Sequence, residues 1–184
     1  WPCLRSAAET LHDISSLLPA PGARAARRPP GRHVRPNPGG QGGDMKLLTP
    51  DLAAHLRAND AARRAAVARG GREPDPGPVV RFFNPVGSAT WLATEMDEDG
   101  ILFGLADLGF GCPELGSFAL AELEAVRLPF GLGIERDLGF TPHHPLSVYA
   151  AAARSAGSIL LGERRLREAA ARMSGRGCRI SGCG

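Results

Sequence analysis

The chain has 184 residues, 43% of them hydrophobic but only 5% aromatic, and 22 Lys and Arg against 19 Asp and Glu for a net charge of +3. That is enough for one domain with a core, while the longest apolar runs fall short of the roughly 20 residues of a membrane-spanning helix, and four cysteines without a CxxC pair support neither a zinc site nor a disulfide framework. The basicity lies in the flanks: residues 45–157 carry ten Lys and Arg against fourteen Asp and Glu, so the middle of the chain repels a phosphate backbone on average.

Residues 1–44 hold seven Pro, six Gly and six Arg, with one apolar cluster from Leu11 to Leu18. Such a composition buries too little to offset its ordering entropy. The peptide Gln41-Gly42-Gly43-Asp44-Met45 can be encoded by AAGGAGG shortly before ATG, a bacterial ribosome-binding sequence. We therefore expect residues 1–44 to be either a disordered arm or an upstream stretch translated ahead of a start at Met45.

From Met45 the pattern is that of a folded domain, expected to run to Gly157. Thr49-Pro50 is an N-cap followed by proline at the first helical position; Leu48, Leu52, Leu56, Ala62 and Ala66 share a face to about Arg69, where Gly70-Gly71 ends the helix. After a stiff connection through Pro74, Pro76 and Pro78, Val79–Phe83 reads as a strand apolar on both faces. Asn84-Pro85-Val86-Gly87 turns into a second strand, Ala89–Met96, and Asp97-Glu98-Asp99-Gly100 is a hairpin turn into a third, Ile101–Leu108. This meander places Glu95 and Asp107 on neighbouring strands.

The third strand runs into DLGFGCPELG, Asp107 to Gly116. Gly109, Gly111 and Gly116 permit positive φ and Pro113 fixes its own, so the segment reads as a shaped structural loop. Cys112 is expected at least half buried and inert, and Asp107 to cap loop amides or be solvated. A brief extended stretch from Ser117 to Leu120 precedes a short helix to Arg127, Ile134–Leu138 reads as a short strand, and Leu146, Tyr149, Ala150 and Ala153 mark a last helix stopped at Gly157. Residues 158–184 form a basic tail, helical in part through Ile159, Leu160, Leu161, Leu166, Ala169, Ala170 and Met173, with Cys178 and Cys183 near its end. The fold class expected is α+β, a small, mainly antiparallel sheet of about four strands flanked by N- and C-terminal helices.

The chemistry-bearing residues are few. Asp107, Glu114, Glu135 and Asp137 are hard oxygen donors of the kind that bind Mg²⁺ or Mn²⁺, and Asp107 or Glu114 could serve as general base. Cys112 with His143 or His144 would form a thiol–imidazole pair. No complete catalytic motif joins these residues, and solvated acids with a packed thiol are the simpler account.

The segments MKLLTPDL, DLGFGCPELG, ERDL and HPLSVYAAA, with the glycines, proline and cysteine of the central loop in order, resemble a bacterial domain-of-unknown-function family, number 2958 (DUF2958), over about residues 45–157. Members are small proteins encoded largely on plasmids and other mobile elements, and they tend to carry hydroxyl residues where this chain has Ala119 and Ala121. The resemblance implies no established activity and leaves the flanks outside the family domain. We expect a small cytoplasmic accessory or protein-binding module with an unidentified protein partner and no cofactor. The alternatives are a metal-dependent hydrolase centred on Asp107 and Glu114, and a nucleic-acid-associated protein acting through its Arg-rich flanks.

Overall fold

The computed structural model describes residues 47–176. The expected arm or upstream segment 1–44 and the Gly-, Ser- and Arg-rich end with Cys178 and Cys183 lie outside the described residues. Helix α1 spans Pro50–Ala68, capped by Thr49, whose Oγ1 accepts the N–H of Leu52. Strands β1 (Val80–Phe83), β2 (Thr90–Met96) and β3 (Ile101–Asp107) follow. Strand β4 (Glu114–Ala119) runs into the short helix α2 (Leu120–Ala125), and β5 is only Glu135–Arg136. Helices α3 (Leu146–Ala156) and α4 (Ile159–Arg176) close the described chain.

The strands form one antiparallel sheet in the order β4-β3-β2-β1-β5. That is five strands where the sequence predicts about four, a small difference with a clear origin: Glu114, Leu115 and Gly116, read as the end of the central loop, pair with Ala106, Leu105 and Gly104. The hairpin turn forms as expected, with Asp97 Oδ1 accepting the N–H groups of Asp99 at 3.0 Å and Ile101 at 2.8 Å. Ala119, at the start of α2, supplies no side-chain cap.

Helices cover both faces of the sheet. On the first, Leu56 of α1 and Leu123 of α2 pack with Val80, Phe82, Trp91, Leu102 and Phe118. On the second, Leu146, Tyr149, Ala150 and Ala153, the stripe expected for the last helix, pack with Ile159 on Leu92 and Leu105. Each such leucine contributes about 1.5–3 kcal/mol on burial. Strand β2 is buried along its whole length because it lies in the middle of a sheet covered on both sides, so its apolar–polar alternation does not separate inside from outside.

Two departures from the predicted packing matter for function. The C-terminal half of α1 does not present Ala62, which is exposed, but Asn59, Asp60 and Arg63. The reason lies in β2, where Ala93 pairs with Gly104 and Glu95 with Phe103, leaving Thr94 bulged out of the ladder; its carbonyl accepts Asn59 Nδ2 at 2.8 Å. Secondly, the segment read as a basic tail contains α4, whose first residue, Ile159, is buried in the second core cluster. Gly157 ends α3 as expected, in a left-handed conformation, and the chain turns at once into α4 as a helical hairpin.

Backbone approach sets one further constraint. A Cβ on Gly104 would lie 1.8 Å from the carbonyl oxygen of Leu92 on the neighbouring strand, a contact that only separation of β2 and β3 relieves. We expect Gly104→Ala to destabilise the protein by about 3 kcal/mol or more, as overpacking against rigid backbone does. Urea unfolding monitored at Trp91 checks this, and an unchanged midpoint would show that the strands part freely.

Candidate functional site

Strand β3 ends at Asp107, 1% exposed. Its Oδ1 accepts the N–H of Gly109 at 2.9 Å and its Oδ2 the N–H of Ile159, at the start of α4, also at 2.9 Å. The carboxylate is therefore a pin between sheet, loop and helix; it caps a loop amide as expected but is not solvated. Gly109 has φ +87°, a conformation that favours glycine, and a Cβ there would also displace Ser88 Oγ, 2.0 Å away. Gly111 also has positive φ, whereas Gly116 lies within β4. Pro113 takes the buried place in the loop, which turns Cys112 outward; the thiol is exposed, contrary to the expectation that it is at least half buried.

The four candidate metal ligands do not converge. Glu114 begins β4 and Glu135 begins β5, the two opposite edges of the sheet, four strand spacings or roughly 19 Å apart. Both oxygens of Asp107 are engaged by backbone, and Asp137 is held by Arg81. Among the described residues no group of three His, Cys, Asp or Glu side chains is arranged to hold a metal ion. Cys112 and Glu114 line a shallow depression with Arg154, while His143 and His144 line a different cavity, so the thiol–imidazole pair is not assembled. Glu95 and Asp107 do lie on adjacent strands, but Asp107 pairs with Thr90, which leaves them roughly 17 Å apart along the hairpin.

The structure instead gathers charge in two places that the sequence does not single out. On the second face Arg81, opposite Leu92 in the sheet, donates from Nε and Nη2 to Asp137 Oδ2 and from Nη1 to Glu163 Oε2 at 2.6 Å. Its guanidinium lies 5.0 Å from the centre of the Phe140 ring, a cation–π distance. Burial opposes the charge on Arg81, but the hydrogen bond to Asp137 and the charges of Glu163 and Asp137 outweigh it and raise its pKa above the ordinary value. Asp137 responds in the opposite sense: burial would raise its pKa, yet the bonds from Arg81 and from Gly139 N–H leave it below the usual 3.8. Beside this network is a cavity of about 340 Å³ lined by Arg81, Phe140, His143, His144, Tyr149 and Glu163, among others.

The second place is a groove, also of about 340 Å³, at the β2–β3 hairpin. Arg63 of α1 donates from Nε to Glu95 Oε2 at 2.6 Å and from Nη2 to Asp60 Oδ1 at 2.9 Å; these two bonds, Glu95 first, raise its pKa. Asp60 Oδ2 lies 2.7 Å from Arg64 Nη2 in an ion pair whose geometry falls short of a hydrogen bond. Glu73 and Asp97 add acid to the rim, and Ile101, Phe103 and Ser117 supply the strand side of the groove. Ile101 and Phe103, with Leu115 of β4, remain 37–38% exposed. The available signals were an arginine inside the apolar run Val79–Phe83 and a glutamate one turn after Ile159-Leu160-Leu161.

Two substitutions test the pins. Asp107→Ala leaves the buried amide of Ile159 and the part-buried amide of Gly109 without an acceptor and is expected to cost about 3 kcal/mol. Asp107→Asn keeps one acceptor but turns an NH₂ group toward an N–H, and is expected to cost about 2 kcal/mol; a urea midpoint unchanged by the asparagine would show that Ile159 N–H needs no carboxylate. For Asp137, a lowered folded-state pKa means stability that is complete above the unfolded value and is lost as pH falls through the folded one. Melting followed from pH 7 downward should show the parent losing stability below about pH 4, and Asp137→Asn starting lower but falling less steeply. Parallel curves would exclude this role.

Among the described residues no helix is long and apolar enough to cross a membrane. No curated protein and no solved structure matches the chain. The model of the family described as a protein of unknown function (DUF2958) matches residues 47–160, a span that holds all five strands, the Asp107 pin and the loop after β3. The chain therefore belongs to the DUF2958 family.

Proposed function

We propose that this domain is a protein-binding module, an accessory protein of bacterial plasmids or other mobile elements that works in the cytoplasm. The observation that carries the reading is the uncovered end of the second sheet face: α3 and α4 bury Leu92 and Leu105 but leave Ile101, Phe103 and Leu115 exposed beside an acidic groove. Neighbouring exposed apolar side chains rimmed by charge are a common mark of an interaction surface. Strand β4 is an edge of the sheet, and such an edge accepts an extended segment through its backbone.

Charge favours one kind of partner. Asp60, Glu73, Glu95 and Asp97 outnumber Arg63 in the groove, which favours an extended segment in which Lys or Arg alternates with aliphatic residues. The hydrolase reading has no comparable support, because both carboxylate oxygens of Asp107 are engaged by backbone amides.

The test is an array of extended peptides, basic–aliphatic against acidic–aliphatic and scrambled counterparts. The basic–aliphatic set is expected to bind best, to weaken as salt is raised, and to lose about tenfold in affinity with Phe103→Ser or Glu73→Lys, the scale of one contact in such an interface. Equal binding of the acidic set, or full binding by Phe103→Ser, would overturn the proposal.

A further inference from the structure

Helix α4 outruns the domain. It starts on Asp107 at the end of β3, Glu163 meets Arg81 of β1, and Arg167 stands beside Phe140, just past β5, so the helix crosses the second sheet face toward the β5 edge. From Arg167 to Ser174 every residue is exposed, and the helix runs on to Arg176, about 14 Å beyond Arg167 at the rise of an α-helix. Exposed turns of this length are marginal by themselves. Their surface has two sides. Ile159, Gly162 and Leu166 are the side on which α4 packs against the domain, and the same helical spacing continues through Ala169, Ala170 and Met173, the last of them 77% exposed. Around this stripe the helix is basic: residues 159–176 hold five Arg against two Glu. The pairs Arg164–Glu168 and Arg172–Glu168, at 3.6 Å on exposed side chains, hold those arginines only weakly.

An apolar stripe flanked by arginines is complementary to an apolar surface rimmed by acid, and the sheet presents one at its opposite corner. Ile101 and Phe103, toward the far end of β3 from Asp107, are exposed together with Leu115 of β4, and Glu73 and Asp97 rim the adjoining groove. Glu73 is exposed and forms no ion pair among the described residues, and Asp97 commits one oxygen, Oδ1, to the hairpin turn. Acid therefore remains for a cation from outside. Because α4 leaves the domain over β1 and β5 whereas this corner lies on β3 and β4, a continuous helix does not turn back to the corner of its own chain. A second copy supplies it without hindrance, while two α4 ends set against each other would bring like charges together.

We propose that the projecting end of α4 in one copy of this chain docks on the apolar and acidic corner of a second copy, with Met173 against Ile101 and Phe103 and Arg172 toward Glu73 and Asp97. This rests on the protein-binding reading of that surface and names an occupant for it: basic and aliphatic side chains, here carried on a helix of the same chain. The contact is head to tail, so each copy in a pair keeps one helix end or one corner free, and association continues into a ring or an open chain. The surface is small, which puts the dissociation constant on the order of 10–100 μM.

Sedimentation of the full chain is expected to show an average mass that rises with concentration, and less steeply as salt is raised. Met173→Glu on the helix and Phe103→Ser on the sheet should each weaken self-association about tenfold or more; should Phe103→Ser fail to fold, Glu73→Lys, in the exposed connection after α1, takes its place. The decisive measurement mixes the two variants. One lacks the helix contact and the other the corner, so a single intact pair remains and the mixture forms a one-to-one dimer and nothing larger. The proposal is overturned if the parent is a monomer at millimolar concentration, if either variant associates as the parent does, or if the mixture fails to pair. In any of these cases the basic–aliphatic peptides, titrated into Met173→Glu, separate the two readings: retained binding removes only the head-to-tail contact, and absent binding removes the protein-binding reading with it.

Discussion

One buried carboxylate holds the two halves of this fold in register. Asp107 closes β3, fixes the turn that follows through Gly109 and receives the first amide of α4. Its charge also lies at the positive end of an 18-residue helix, where the macrodipole favours it. A helix N-terminus leaves several amides without intrahelical partners, and here one of them is satisfied from a strand 52 residues earlier in the chain. The position of α4, and with it that of Glu163, follows from this bond.

Once α4 is seated, Arg81 has a partner on the helix side as well as the sheet side. Buried ion pairs gain little net stability, since desolvation offsets attraction, but they are strongly directional. Arg81 reaches Asp137 just after β5 and Glu163 on α4, so the two-residue β5 is supported by more than its own short ladder. The network also leaves one buried oxygen of Glu163 without a hydrogen-bond partner among the described residues.

The other end of the sheet follows a different logic. The bulge at Thr94 exposes backbone that α1 meets with Asn59 in place of an aliphatic side chain. One turn on, Arg63 joins Asp60 to Glu95, and the groove forms where the helical hairpin α3–α4 does not reach. Apolar side chains at that end, Phe103 above all, remain in contact with solvent. The groove thus arises because the hairpin covers part of the second face and not all of it.

The sequence by itself determined what local chemistry controls. Thr49-Pro50 started α1, Asp97–Gly100 turned the hairpin, Gly157 stopped α3, and the stripe Leu146, Tyr149, Ala150 and Ala153 faced the core, because caps, turns and 3.6-residue spacing act within a few residues. The family was legible too, from the order of glycines, proline and cysteine around DLGFGCPELG. Tertiary structure alone decided which acids met which bases: Arg81 finds Asp137 across 56 residues and Glu163 across 82, and no spacing rule reaches so far. It also decided that Asp107 is inside and Cys112 outside, because the loop turns Pro113 inward and its neighbour outward. The four candidate metal ligands came apart for the same reason, because strand order, which is a property of the whole sheet, put Glu114 and Glu135 on opposite edges.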